Sequence, residues 1–146
     1  MTSYYTASTP VAPTYEQLEG NITADVCIVG AGYTGLSSAL HLAKRGYKVV
    51  ILEAETVGFG ASGRNGGHVG TGQRMEQQDI EAKFGRETAH SLWNMSLEAV
   101  DTVRNLILEN NIECDLKYGN VHFAHKRVYC EELEKDIEFF ANRYNF

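Results

Sequence analysis

Gly30-Ala31-Gly32-Tyr33-Thr34-Gly35 is the stretch of this sequence whose residue types and spacing could do chemistry first. A G-x-G-x-x-G turn carries weight only in context: a buried strand before it, a helix after it, and a second strand ending in an acid about 20 residues on. All of these are present. Val26-Cys27-Ile28-Val29 is an apolar run entering the turn, Leu36, Ala39, Leu40 and Ala43 recur at helical spacing, and Val49-Val50-Ile51-Leu52 ends in Glu53, 23 residues after Gly30. The chemistry is the holding of a dinucleotide. Gly30 permits the tight turn, Gly32 lets a pyrophosphate reach the backbone, and Gly35 lets helix and strand pack closely. Tyr33 and Thr34 open the helix, whose unpaired N–H groups and partial positive charge suit phosphates. Glu53 can accept both ribose hydroxyls; it repels a 2′-phosphate, and Ala54 beside it offers no compensating arginine, so NADP is disfavoured.

Between NAD and FAD the strand-helix-strand unit alone does not decide. A second cluster follows at once, Gly58-Phe59-Gly60-Ala61-Ser62-Gly63-Arg64-Asn65-Gly66-Gly67, with Gly70 and Gly72 just beyond. Its glycines interleave with Ser62, Arg64, Asn65 and His68, which favours a tight packed loop over a flexible linker.

Directly after the acid and its short loop, this second cluster resembles the flavin-side signature of the D-amino-acid oxidase (DAO) superfamily of FAD-dependent amine and amino-acid oxidases. The resemblance implies FAD as cofactor, with Gly60 among its contacts, Ala61 and Ser62 toward the phosphates and ribitol, and Arg64, Asn65, Gly66 and Gly67 nearer the flavin. Outlying stretches are similar to the branch of that family acting on gamma-glutamylated polyamines: Ser3-Tyr4-Tyr5, Leu18-Glu19-Gly20, Ala24-Asp25-Val26-Cys27, and Cys114-Asp115-Leu116 leading through Gly119 into Val121-His122-Phe123-Ala124. The family implies oxidation at a carbon–nitrogen bond of a small amine or amino acid. Hydride passes to flavin N5, the imine is hydrolysed, and molecular oxygen reoxidises the flavin with release of hydrogen peroxide. No catalytic residue is assigned, because in the family the substrate-facing groups come mostly from later sequence. Two other readings stand beside this one: a truncated, non-catalytic FAD-binding fragment, and an NAD-dependent dehydrogenase fragment, against which the second glycine loop argues.

The elements that must position these residues make an α/β fold. It is expected to comprise an extended leader over residues 1–24, containing Pro10 and Pro13, then a Rossmann-type FAD-binding βαβ domain over 25–111 with a right-handed crossover, and the beginning of an α+β substrate domain over 112–146. Both apolar runs predict strands buried on both faces of a parallel sheet. Gly46 sits where a helix C-terminal glycine belongs. Ala89, Leu92, Trp93, Val100, Val103 and Ile107 mark one face of a long helix ending near Asn110-Asn111. Residues 114–125 read as two short strands around Tyr118-Gly119-Asn120, and Leu133, Ile137, Phe140 and Tyr144 mark a last helix. An open doubly wound sheet normally has about five or six strands, and only two convincing ones are present. Residues 1–146 alone are therefore expected to be marginally stable, as the N-terminal portion of a larger enzyme.

Composition narrows the partners. The chain has 146 residues, 43% of them apolar, and 13 Lys+Arg against 19 Asp+Glu give a net charge of −6. That balance lacks the basic footprint a phosphate backbone demands, so nucleic acid is not expected as a partner. No apolar run approaches the roughly 20 residues of a membrane span. Cys27, Cys114 and Cys130 are odd in number and far apart, which fits a reducing, cytoplasmic setting. Cys27, in an apolar strand, reads as a small core residue. His122 and His125 resemble a ligand pair, but on a strand a spacing of three puts them on opposite faces, and no metal site is expected. His68 could lie near the flavin, yet it matches no covalent attachment motif. Arg64 is either a charge near the flavin or an anchor for loop carbonyls. Phe139, Phe140, Tyr144 and Phe146 read as core residues whose packing partners lie beyond Phe146.

Overall fold

A computed structural model describes residues 3–8 and 14–146. In chain order it contains α1 (Tyr4–Ser8), β1 (Val26–Val29), α2 (Tyr33–Lys44), β2 (Val49–Leu52), a single 3-10 turn (Ala61–Gly63), α3 (Gln77–Phe84), α4 (Arg86–Glu109) and α5 (Arg127–Tyr144). The chain divides between His68 and Val69 into two compact units. That division falls inside the glycine-rich stretch, whereas the sequence places a boundary near Ile112. The reason lies in α4, which packs against α3 within the second unit.

In the first unit β1 and β2 pair in parallel, with Val26 opposite Val49 and Val29 opposite Leu52. Asp25 fixes the start of this ladder: its carboxylate accepts the Lys48 N–H at 2.7 Å and its own N–H donates to the Lys48 carbonyl at 2.9 Å. α2 ends as expected. Gly46 takes φ +90°, its N–H donates to Ala43 O, and the Tyr47 N–H reaches back to Leu42 O. Those two bonds are the Schellman pair, and the positive φ is what a glycine there supplies. The leader differs from expectation at its start. Residues 4–8 are helical because Ser3 acts as N-cap, its hydroxyl accepting the Thr6 N–H at 3.1 Å. Pro10 and Pro13 lie outside the described residues.

The expectation of strands buried on both faces is corrected. In β1 exposure alternates, Cys27 is exposed, and Val29 is 86% exposed. α2 packs on the face carrying Ile28, whose Cγ2 approaches Gly35, while Cys27 and Val29 face the other way. Cys27 is exposed in this chain, where with Val50 and Leu52 it lines a cavity of about 420 Å³ whose other wall is residues 18 and 20–24. Leu36 and Leu40 on α2 likewise stay more than one-third exposed.

The second unit is helical and has a side-chain core. Ile80, Ala89, Trp93 and Val100 are buried, with the polar Gln77 and Ser96 among them. α4 runs on the expected face and stops where expected: Asn111 adopts φ +49° and Ile112 N–H donates to Ile107 O. Trp93 is the hub. Its ring lies 4.9 Å from Phe140, 5.0 Å from Phe146 and 5.5 Å from Tyr144, while His90 stacks on Tyr144 at 4.4 Å. The C-terminal aromatics therefore find packing partners inside this chain, contrary to the sequence expectation. α3 was not anticipated; its Gln77 donates to Ala89 O at 2.8 Å and to the Tyr144 hydroxyl at 3.0 Å.

Residues 114–125 form no strand. Tyr118, Val121 and Phe123 are exposed, Phe123 to 84%. A lone hairpin with no face to bury is marginal in water, so alternating apolar residues alone do not make a strand there. No described helix is long and apolar enough to cross a membrane, and the described residues hold no cluster of three or more groups fit to ligate a metal ion.

Candidate cofactor site

Both glycine loops belong to the first unit, and hydrogen bonds tie them into one surface. Gly30 follows β1 directly. Its N–H donates to Leu52 O at 2.7 Å, extending the ladder into the turn, and its φ of +98° is the left-handed conformation that favours glycine. Ala31 is buried, and its carbonyl accepts the Gly58 N–H at 2.9 Å, which brings the second cluster onto the first. Gly35 meets the requirement for close packing: a Cβ there would collide with the Gly30 carbonyl and lie 3.3 Å from Ile28 Cγ2. Gly63 does the same job in the second loop, where a Cβ would strike the Gly58 carbonyl.

Gly32 has a different neighbour from the one expected of it. A Cβ at this position would sit 3.0 Å from Ser62 Oγ, so the glycine admits the second loop as well as leaving the backbone open. Gly32 is also the N-cap of α2 and supplies no side-chain acceptor. Ser62 stands in for it. Its hydroxyl accepts the Tyr33 N–H at 3.0 Å, satisfying one of the orphan donors of the first turn from 29 residues away. The amides of Gly32 and Thr34 have no acceptor among the described residues, and α2 has no acidic side chain in its first turn. That donor set suits an anion.

Glu53 is drawn into the first loop. One carboxylate oxygen accepts the Ala31 N–H at 2.7 Å and the other the Glu55 N–H at 3.1 Å. The Ala31 amide, then the Glu55 amide, hold this carboxyl below the usual carboxylate range. Each oxygen keeps a second lone pair, so the side chain can still accept hydroxyl donors. Ala54 is exposed beside it.

Around the 3-10 turn, Asn65 is the most connected residue. Its amide donates to Ser62 O at 2.9 Å, to Ala61 O at 3.1 Å and, at 3.4 Å, toward the Tyr33 hydroxyl, while its carbonyl oxygen accepts the Gly67 N–H at 2.8 Å. Gly67 has φ +68°, and a Cβ there would lie 2.5 Å from the Tyr5 hydroxyl. The Arg64 guanidinium lies over the Phe59 ring, 4.5 Å from the centroid. Gly60 faces open space, and a Cβ on Gly66 would meet the His68 ring at 3.4 Å. The residues proposed from sequence thus fall on these two loops, apart from Glu53 and Ala54, which directly follow β2. What sequence reasoning missed is Gly58, whose N–H joins them; its place two residues before Gly60, five after Glu53, was the available signal.

The sequence profile described as FAD dependent oxidoreductase (DAO) matches residues 25–146. The chain belongs to this family. FAD is the cofactor of this oxidoreductase family, and the two joined loops, free of Cβ atoms where they must be and rich in amide donors, fit such a group. Residues of this chain are 43% identical to gamma-glutamylputrescine oxidoreductase of Escherichia coli (strain K12), over 93% of this chain and 32% of that protein. They are 37% identical to a protein named probable oxidoreductase OrdL from Rhizobium meliloti (strain 1021), over 99% of this chain and 34% of that protein. A protein of the same name from Haemophilus influenzae is 49% identical over 69% of this chain and 23% of its own length. The chain spans about one-third or less of these relatives. No solved structure matches it.

Proposed function

We propose that this chain holds FAD across its two glycine loops, and that the whole protein oxidises a carbon–nitrogen bond of a gamma-glutamylated amine, with molecular oxygen as acceptor and hydrogen peroxide as product. In this reading the exposed amides of Gly32 and Thr34, with Gly30 and Gly35 shaping the turn and Tyr33 opening the helix, receive the pyrophosphate at the start of α2. Glu53 accepts the ribose hydroxyls and Ala54 lines the same edge. Gly60, Ala61 and Ser62 lie toward the ribitol; Arg64, Asn65, Gly66 and Gly67 lie toward the flavin. When bound, FAD supplies the two-electron chemistry by taking a hydride at N5. The part of this chain is to bind and orient: fixed amide donors cost little reorganisation and hold the cofactor in one pose.

The observation that supports this reading most is the bond from Tyr33 N–H to Ser62 Oγ, because it joins the dinucleotide turn to the flavin-side loop. A dinucleotide site that needed only the first loop would have no use for it. The substrate class rests on the likeness to gamma-glutamylputrescine oxidoreductase. The cytoplasm is the compartment this reading assigns, from the three unpaired cysteines.

The test is to purify the protein, record its visible spectrum, and follow oxygen uptake and peroxide release with gamma-glutamylputrescine and with free putrescine. The reading expects flavin absorption, and peroxide from the glutamylated amine in preference to the free one. Colourless protein, or bound flavin with no peroxide from any amine, contradicts it.

A further inference from the structure

Asn65 has its carboxamide turned inward. Both amide hydrogens go to carbonyls of the 3-10 turn, Ser62 O at 2.9 Å and Ala61 O at 3.1 Å, with the Tyr33 hydroxyl a longer third acceptor. The remaining oxygen takes the N–H of Gly67, itself in the left-handed conformation, at 2.8 Å. An amide has only two hydrogens, so neither is available to a cofactor without breaking a loop bond. The backbone amides of Asn65 and Gly66, by contrast, have no acceptor among the described residues. We propose that Asn65 is a positioning residue rather than a cofactor ligand: its side chain clamps residues 61–67 so that the backbone amides between the clamped points face the flavin in a fixed direction. This inference rests on the FAD reading above.

Its physical content is in the donors. Aspartate has nearly the same shape and keeps the acceptor for Gly67, but when ionised it sets a negative oxygen against the Ala61 and Ser62 carbonyls. When protonated it regains one donor for them. Leucine removes donors and acceptor at every pH. A residue that merely filled space would respond to neither difference.

The experiment measures FAD affinity of the full chain by flavin fluorescence at pH 7.5 and pH 5.0 for the wild type, Asn65→Asp and Asn65→Leu. The wild type carries the same His68, Arg64, Tyr5 and Tyr33 around the loop and is the control for every other titrating group. Asn65→Leu is expected to bind on the order of tenfold more weakly than the wild type at both pH values. Asn65→Asp is expected to bind on the order of tenfold more weakly at pH 7.5 and to recover roughly twofold of that loss at pH 5.0, where the carboxyl becomes partly protonated, relative to the wild type at each pH. Recovery in the same preparation excludes simple misfolding. Variants that bind like the wild type at both pH values overturn the clamp alone, as does Asn65→Asp weakened equally at both. A wild type that binds no FAD overturns the cofactor reading and the clamp with it.

Discussion

The two units of this chain are held together by different means. In the helical unit the organising group is a side chain, Trp93, ringed by Phe140, Tyr144 and Phe146. In the first unit it is the backbone: Ala31 is the one residue buried among those described there, and the loops are joined by amides reaching carbonyls, a carboxylate and a hydroxyl. On the FAD reading proposed above, the difference follows from task. A surface that must lie against a diphosphate and a planar ring has to keep its donors bare and its Cβ atoms out of the way, so it cannot also bury large side chains. Packing then has to be concentrated elsewhere.

Breaking the side-chain hub should have the largest effect. Trp93→Ala is expected to destabilise the helical unit by about 3–5 kcal/mol, seen as loss of amide-exchange protection in α3, α4 and α5. The contrast between the units fails if Trp93→Ala leaves that protection intact. Next in size is Gly35→Ala, where the new methyl group meets the Gly30 carbonyl. It should cost about 1–3 kcal/mol and lower the melting temperature of the first unit, although it adds apolar surface. A neutral result would mean that the close approach of α2 to the turn is not needed.

Ser62→Ala removes the borrowed cap of α2 and should cost about 0.5–2 kcal/mol. Equilibrium denaturation measures that loss, and Ser62→Thr, which keeps the hydroxyl, should restore most of it. The smallest effect at neutral pH belongs to Glu53. Because its folded carboxyl is held below the usual range by the Ala31 and Glu55 amides, its contribution is present above the ordinary carboxylate value and is lost as pH falls through the lowered one. Acid titration of the fold should thus show a component that Glu53→Gln abolishes; an unchanged acid limb in that variant would show that the contact contributes nothing.

The same contrast explains what could be read from the sequence. The turn at Gly30 and Gly35, the acid at Glu53 and the helix stops at Gly46 and Asn111 were legible, because each depends on local backbone geometry. The membership of Gly60 to Gly67 in one loop was legible from the cluster itself. Three things were not. Ser62 capping a helix 29 residues away, and Asn65 turning inward, depend on how two loops meet in space. The packing of Phe140 and Tyr144 on Trp93 depends on a fold-back that periodicity does not report. Apolar runs misled in the other direction: Val26–Val29 reads as doubly buried, yet burial needs a covering layer, and Cys27 and Val29 stand exposed.

The central claim is that the two glycine loops act as one FAD cradle. Titrating the full chain with FAD and, separately, with NAD, for the wild type and for Ser62→Ala, tests it most directly. FAD should bind in clear preference to NAD, and Ser62→Ala should weaken FAD while leaving the weak NAD binding unchanged. Equal or tighter binding of NAD, or a Ser62→Ala variant that binds FAD as the wild type does, would contradict it.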